Sequence, residues 1–199
     1  MGSFNERPGP PYAAPMTFEA FLAFLDERPD GERWELIDGE PVLNASPAQI
    51  HQLIAYNLVA ALMRAKEATG AAWLPSFGLV TKLRRPGNAY WPDVLVAEES
   101  VASARNFLET ALLVAEVWSK SNRLARRRQK LEGYLSLPHC GHVVTLVQDE
   151  MLAIRHDRAG DGWAEHEVRG PDGVLDLPAL AVSFPLAGLY RYTPLEPRR

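Results

Sequence analysis

Cysteine is almost absent from this 199-residue chain, which has only Cys140 and cannot form a disulfide within itself. The sequence also has no hydrophobic leader segment and no apolar run long enough to span a bilayer. These absences argue against a small secreted scaffold and against an integral membrane protein. They predict a cytoplasmic protein with no membrane partner.

Neither sign of charge dominates the chain. The formal net charge is −4, which leaves nucleic-acid binding open because local patches, rather than totals, attract phosphates. Hydrophobic residues make up 47% and charged residues 23%, as in an ordinary globular protein, and we predict one domain over residues 16–192. A Gly- and Pro-rich tail at residues 1–15 is predicted to be disordered, and residues 193–199 are predicted to form a loose C-terminal tail.

Cofactor fingerprints are missing as well. The sequence contains no Gly-rich phosphate-binding loop and no G-x-S-x-G nucleophile elbow. His139, His142, His156 and His166 lack the close spacing of zinc ligands. The sequence therefore gives no support to a nucleotide-dependent enzyme, a serine hydrolase or a zinc site.

The chemistry that is present centres on two acidic residues inside apolar runs. Asp93 precedes residues 94–96 and Glu116 follows residues 112–115, so both segments are predicted to be short buried strands. The alternative for Asp93 is a turn residue, because it follows Pro92. A buried carboxylate needs a compensating charge, and two on adjacent strands suggest a site for a hard divalent cation.

A basic helix is predicted to follow the second of these strands. Asn122 is a candidate cap, and the helix should run to about Leu137. Arg126, Lys130 and Tyr134 fall roughly in line on it at four-residue spacing. Its basic residues fit either a solvated face or contacts with phosphate. Because the helix directly follows the acidic strand, we expect Lys130 to point toward the carboxylates.

Two more acids lie on a predicted N-terminal hairpin. The dipeptide Asp38-Gly39 between apolar residues indicates a hairpin over residues 34–43. Glu35 precedes this turn and Glu40 follows it. Surface statistics alone favour exposed side chains for both.

A histidine lies at the start of the next predicted helix, which runs from a capping box at Ser46 to about Gly70. His51 falls in its first turn. Taken alone, this residue is most simply a surface histidine with local hydrogen bonds. The alternative is that the start of the helix places it beside the acidic cluster.

The remaining pattern predicts a helix capped by Thr17 and a C-terminal part without helices. The predicted strands share short apolar or alternating runs and cover residues 80–83, 90–97, 142–147, 151–156, 163–168, 175–180 and 184–190.

The order of these motifs resembles the bacterial Uma-two family, a branch of the PD-(D/E)XK nuclease superfamily. The matching segments lie between about Thr17 and Tyr190 and are Trp34-Glu35-Leu36-Ile37-Asp38-Gly39-Glu40, Ser46-Pro47 with His51-Gln52, Gly87-Asn88-Ala89-Tyr90-Trp91-Pro92-Asp93, Glu116-Val117, and Lys130 with Tyr134.

The resemblance implies an α/β (α+β) fold with a restriction-endonuclease-like mixed β-sheet flanked by helices, an N-terminal hairpin and a C-terminal β-rich segment. It implies that Asp93 and Glu116 bind Mg²⁺ or Mn²⁺, that Lys130 assists catalysis and that Glu35 completes the cluster. The implied activity is hydrolysis of DNA phosphodiester bonds by a metal-activated water. A homodimer is compatible with that activity.

Three further residues have open roles under this resemblance: Glu40, His51 and Arg126. The superfamily's usual lysine position, two residues after the glutamate, is Trp118 here, so Lys130 on the following helix is the matching amine. Arg126 stands where the family usually has an aspartate. Its guanidinium either displaces the metal or binds substrate phosphate. The first case gives the alternative function, a nuclease-fold protein without chemistry that acts as a binding or regulatory module.

Overall fold

The computed structural model of the protein describes residues 14–102, 107–119 and 124–197. The predicted cap Asn122 and nearly all of the predicted tail over residues 1–15 lie outside these ranges.

The helices within the described residues are α1 (Phe18–Asp26), α2 (Gln49–Thr69), α3 (Glu99–Ala102), α4 (Leu124–Leu135) and α5 (Leu186–Leu189), with a 3₁₀ turn over Pro178–Leu180. Thr17 caps α1 as predicted, because its hydroxyl oxygen accepts a hydrogen bond from the Ala20 N–H at 3.2 Å. The predicted capping box at Ser46 is wrong, since α2 begins at Gln49 after an extended residue, Ala48, whose side chain makes no cap. The helix ends as predicted at Gly70, whose φ of 67° suits a residue without a Cβ.

The strands of the described residues are β1 (Trp34–Ile37), β2 (Glu40–Leu43), β3 (Trp73–Phe77), β4 (Val80–Lys82), β5 (Ala89–Tyr90), β6 (Val94–Glu98), β7 (Phe107–Leu108), β8 (Leu113–Trp118), β9 (His142–Val147), β10 (Leu152–Ala159), β11 (Gly162–Arg169), β12 (Val174–Leu177) and β13 (Val182–Pro185). They form a five-stranded sheet with the order β2-β1-β5-β4-β7, a six-stranded sheet with the order β11-β10-β9-β8-β6-β3, and a ribbon of β12 and β13. Both larger sheets are mixed, because β4 pairs with β7 and β8 with β9 in parallel while their other pairs are antiparallel.

Three predicted strands are wrong in extent. The strand predicted over residues 175–180 ends at Leu177, because the 3₁₀ turn over Pro178–Leu180 follows it. The strand predicted over residues 90–97 is divided between β5 in one sheet and β6 in the other, with Pro92 in the break. Proline has no N–H to donate to a ladder, which explains an interruption at this point. The segment over residues 184–190 contains only the end of β13 and then the helix α5, so the prediction of a C-terminal part without helices is wrong.

The six-stranded sheet is covered on both faces. Ile54 and Leu58 of α2 pack in a cluster with Ala115 of β8, whereas Tyr134 of α4 packs in a cluster with Val114 of the same strand. Successive side chains of a strand point to opposite faces, so β8 directs Glu116 to the same side as Val114, toward α4. The parallel pair β8 and β9, with α4 between them in sequence, therefore brings the basic helix over the second acid.

A separate cluster supports the five-stranded sheet. Phe21 and Phe24 of α1 pack with Trp34 and Leu36 of β1. None of the helices in the described residues combines the length and apolar character needed to cross a bilayer.

Candidate active site

The two acids in the apolar runs lie just beyond one end of the antiparallel pairing between β6 and β8. The register pairs Val94 of β6 with Ala115 of β8, so the next positions along the two strands are Asp93 and Glu116. Asp93 is 9% exposed and Glu116 is 7% exposed. Antiparallel neighbours at such positions direct their side chains to the same face of the sheet.

Asp93 is held by a strand and a helix. Its Oδ2 accepts a hydrogen bond from the Val117 N–H at 2.9 Å and lies 3.0 Å from His51 Nε2. Burial alone would raise the pKa of Asp93, but the His51 hydrogen bond and charge, the charge of Lys130 and the Val117 N–H lower it. Asp93 is therefore ionised at neutral pH, and its Oδ2 already has two partners.

Glu116 shares its Oε1 with two groups of α4. Lys130 Nζ lies 2.7 Å from this oxygen, and the Tyr134 hydroxyl donates to it at 2.5 Å. Burial, together with the nearby charges of Asp93 and Glu35, raises the pKa of Glu116 to about 7, although Lys130 acts in the opposite direction. Burial would lower the pKa of Lys130, but the three carboxylates outweigh it and raise the pKa, so the amine stays charged.

Glu35 is completely buried, which contradicts the expectation of an exposed strand carboxylate. Its Oε1 accepts a hydrogen bond from the Trp91 N–H at 2.9 Å and lies 3.0 Å from Lys130 Nζ. Its Oε2 accepts one from Arg126 Nη2 at 2.5 Å. Burial alone would raise the pKa of Glu35, but the two cations and the Trp91 N–H lower it. Both oxygens of Glu35 are thus taken by protein groups.

Of the two other candidates, Glu40 is exposed as surface statistics favoured, whereas His51 is placed differently from what the residue alone suggested. Glu40 is exposed at the start of β2, and within the described residues it makes no contact with the cluster. His51 is not the locally bonded histidine that the residue alone favoured, because its Nε2 lies against Asp93. The first turn of α2 carries it there, as the second interpretation of this residue proposed.

The family model "Uma2: Putative restriction endonuclease" matches residues 18–187. The chain belongs to this family. Nothing among the curated proteins matches the chain. Among the solved structures, a "putative nuclease belonging to DUF820" from Anabaena variabilis is similar in fold, with a TM-score of 0.73, 16% sequence identity, and coverage of 88% of this chain and 98% of that one. The predicted family and the restriction-endonuclease-like fold are confirmed.

Lys130, rather than the residue two positions after Glu116, brings an amine to that acid. Trp118, two residues after Glu116, is partly buried and lies 5.3 Å from the guanidinium of Arg127. Lys130 instead brings its amine to Glu116 from α4. A side chain from a neighbouring helix thereby reaches the acid within β8.

Sequence reasoning aligned Tyr134 with Lys130 without giving it a role, and it missed Arg33. The Tyr134 hydroxyl bonds Glu116, and Arg33 Nη1 lies 3.9 Å from Asp93 Oδ1. The signal for Arg33 was its position two residues before Glu35, because strand residues two apart face the same way.

Proposed function

We propose that this Uma2 protein is a metal-dependent endonuclease that hydrolyses phosphodiester bonds of DNA. The observation that carries the proposal is the placement of Asp93 and Glu116 side by side just beyond the paired residues Val94 and Ala115, with the Lys130 amine 2.7 Å from Glu116. Membership of a family described as restriction endonucleases supports a nuclease acting on nucleic acid.

The carboxylates fit a divalent cation as a site with two protein ligands. The described residues contain no group of three or more His, Cys, Asp or Glu side chains arranged around a metal position. Asp93 Oδ1 and Glu116 Oε2, however, accept no hydrogen bond from any described residue. Mg²⁺ is commonly held by one or two carboxylates, with water and substrate phosphate completing its shell. Asp93 and Glu116 would hold the ion, which when bound polarises the phosphate and lowers the pKa of water.

Lys130 supplies the fixed positive charge of the mechanism. Its amine lies 3.0 Å from Glu35 and 2.7 Å from Glu116, so its position is set from both sheets. A cation fixed in this way stabilises negative charge that develops on phosphate oxygens as water attacks. During hydrolysis the water oxygen forms a bond to phosphorus, the bond to the leaving sugar oxygen breaks, and that oxygen gains a proton.

The other residues position these groups. His51 and the Val117 N–H orient Asp93, while Tyr134 orients Glu116. Glu35 holds Lys130 and is not a metal ligand in this proposal, because its oxygens are already bound. Such surrounding contacts fix the geometry of a site before substrate arrives.

Arg126 bears on the alternative function. Its guanidinium binds Glu35 and also lies 5.6 Å from the centre of the Tyr90 ring. A cation that replaces a metal would instead bind between Asp93 and Glu116. The contact with Glu35 therefore favours an active enzyme over a nuclease-fold protein without chemistry.

The test is a nicking assay with supercoiled plasmid and Mg²⁺ or Mn²⁺. We expect the wild-type protein to convert supercoiled DNA to the open-circular form, and EDTA to abolish the reaction. Glu116→Gln should remove a metal ligand and Lys130→Ala the fixed cation, each with a loss of at least about a hundredfold. Glu40→Gln is the matched control, because it changes an exposed carboxylate of the hairpin and should leave the rate unchanged.

Equal activity in wild type, Glu116→Gln and Lys130→Ala would show that another protein causes the nicking and would refute the proposal. Tight binding of DNA without metal-dependent cleavage would instead support the alternative, a binding module with a nuclease fold.

A further inference from the structure

Arg33 is more exposed than Lys130 and Arg126, the two other basic residues with long side chains near the carboxylates. Its side chain is 38% exposed, compared with 14% for Lys130 and 19% for Arg126. It precedes β1 and reaches the site from the solvent side. Arg33 has no role in the mechanism proposed above.

The guanidinium of Arg33 is near Asp93 without being bonded to it. Nη1 lies 3.9 Å from Asp93 Oδ1, which is too long for a hydrogen bond. Within the described residues no hydrogen bond from this guanidinium is found. Lys130 and Arg126, in contrast, each lie 3.0 Å or less from a buried carboxylate oxygen. The donors of Arg33 are thus available to a ligand.

The backbone of Arg33 is fixed although its side chain is exposed. Its carbonyl oxygen accepts a hydrogen bond from the Asn44 N–H at 2.8 Å, which continues the pairing of Trp34 with Leu43 in the hairpin. In an extended segment residues two apart face the same side, so Arg33 and Glu35 both face the site. Trp34 packs in the cluster of α1 on the other side and anchors this orientation.

We propose that Arg33 binds a non-bridging phosphate oxygen of the nucleic acid beside Asp93; this rests on the proposed nuclease function. A guanidinium presents paired donors in a planar fork that matches phosphate, whereas Lys130 has two carboxylates as partners already. In the free protein Arg33 partly offsets the charge of Asp93. In the complex it moves a short distance from Asp93 onto the phosphate.

The experiment measures binding of a fluorescently labelled DNA duplex by anisotropy, in EDTA and over a series of salt concentrations. Arg33→Ala should weaken binding about tenfold, and the magnitude of the slope of log K against log salt should fall by about one. Arg33→Lys should keep the slope but weaken binding about threefold, because an ammonium lacks the fork.

The matched control is Arg64→Ala. Arg64 is exposed on α2, thirteen residues after His51 and therefore about 20 Å along the helix axis from the site. Its loss removes the same charge from the protein and should change affinity by less than about twofold. Circular dichroism of Arg33→Ala and Arg33→Lys confirms folding, and the lysine variant serves alone if the alanine variant is unfolded.

Three results would overturn the proposal. One is an equal effect of Arg33→Ala and Arg64→Ala on DNA binding. Another is unchanged DNA binding with tighter binding of Mn²⁺ in Arg33→Ala, which would make Arg33 only a counter-ion of Asp93. The last is a wild-type protein with no affinity for DNA. Failure of the nuclease function alone is distinguishable, because Arg33-dependent binding would then persist without nicking.

Discussion

The three buried carboxylates of the site differ in how their charge is compensated. Glu35 and Asp93 have partners that outweigh burial and lower their pKa. Burial, together with the nearby charges of Asp93 and Glu35, raises the pKa of Glu116 to about 7 despite the Lys130 amine. Repulsion between carboxylates that share a site commonly leaves one of them as the proton carrier. Among these three carboxyl groups, Glu116 is the one that binds a proton most readily.

This difference predicts a pH-dependent affinity for metal. Because the pKa of Glu116 is raised, the residue holds a proton below about pH 7 and must lose it before it can bind a cation. Affinity for Mn²⁺ should therefore rise between pH 6 and pH 8, by about tenfold for one such proton. Isothermal titration calorimetry of the wild-type protein at several pH values measures this change.

Glu40→Gln should show the same pH profile, since Glu40 is exposed and away from the cluster. An affinity that is constant over this range, or that falls with pH, would contradict the assignment of the proton to Glu116.

At the scale of elements, α4 determines where the Lys130 amine lies. A Cβ at Gly133 would lie 2.6 Å from Leu83 Cδ1 and 2.8 Å from Tyr90 Cε2, so the helix approaches the five-stranded sheet closely at this point. Tyr90 and Tyr134 also pack edge to face, with ring centres 5.8 Å apart. These contacts hold Lys130 at its distance from the carboxylates.

Gly133→Ala should therefore move the helix. An added methyl group usually stabilises a helix by about 1 kcal/mol, but the clash with a buried tyrosine should lower the free energy of unfolding by about 1–3 kcal/mol instead. Nicking should fall at least about tenfold, because a small displacement of a catalytic group is costly. Urea denaturation and the plasmid assay measure the two effects.

The control is Gly188→Ala in α5, where an added Cβ has no atom within 4 Å. This variant should keep wild-type activity and should not lower the free energy of unfolding, because its added methyl group meets no atom and a methyl group favours the helix. Full activity in Gly133→Ala would show that α4 tolerates the methyl group without moving Lys130.

At the scale of the whole molecule, the site lies where the two larger sheets meet. Glu35 comes from β1 of the five-stranded sheet and Glu116 from β8 of the six-stranded sheet, and Lys130 contacts both. The break around Pro92 also carries the chain from one sheet to the other. The ion pairs of Lys130 with Glu35 and Glu116 therefore join the two sheets and contribute to the free energy of unfolding.

Glu35→Gln tests this link. It leaves Lys130 and Arg126 partly buried with one carboxylate fewer, and loss of one partner from a buried ion pair costs about 3 kcal/mol of unfolding free energy. Urea denaturation should show this decrease. Affinity for Mn²⁺ should change little, because Glu35 is a positioning residue rather than a ligand.

Asp93→Asn provides the comparison, since it should abolish Mn²⁺ binding. If Glu35→Gln abolished it equally, Glu35 would have to be counted among the metal ligands. Unchanged stability in Glu35→Gln would argue against a structural link between the sheets.

Local chemistry was sufficient to predict much of this protein from its sequence. The Asp38-Gly39 turn, the end of α2 at Gly70 and the strand β9 follow from backbone preferences and apolar periodicity. The acids Asp93 and Glu116 were recognisable because carboxylates are rare in apolar strands. These features depend on neighbours in the chain, so no long-range contact was needed to find them.

Only the tertiary structure decided which polar groups surround those acids. Surface statistics favour an exposed Glu35, but the side chain is buried. Its charge is compensated by Arg126 and Lys130, which are about ninety residues away in the chain. His51 and Arg33 likewise belong to the site only because folding brings them near Asp93. Burial of a charge depends on partners that folding brings from other elements. The amphipathic pattern of a single element cannot predict those partners, because they are distant in the sequence.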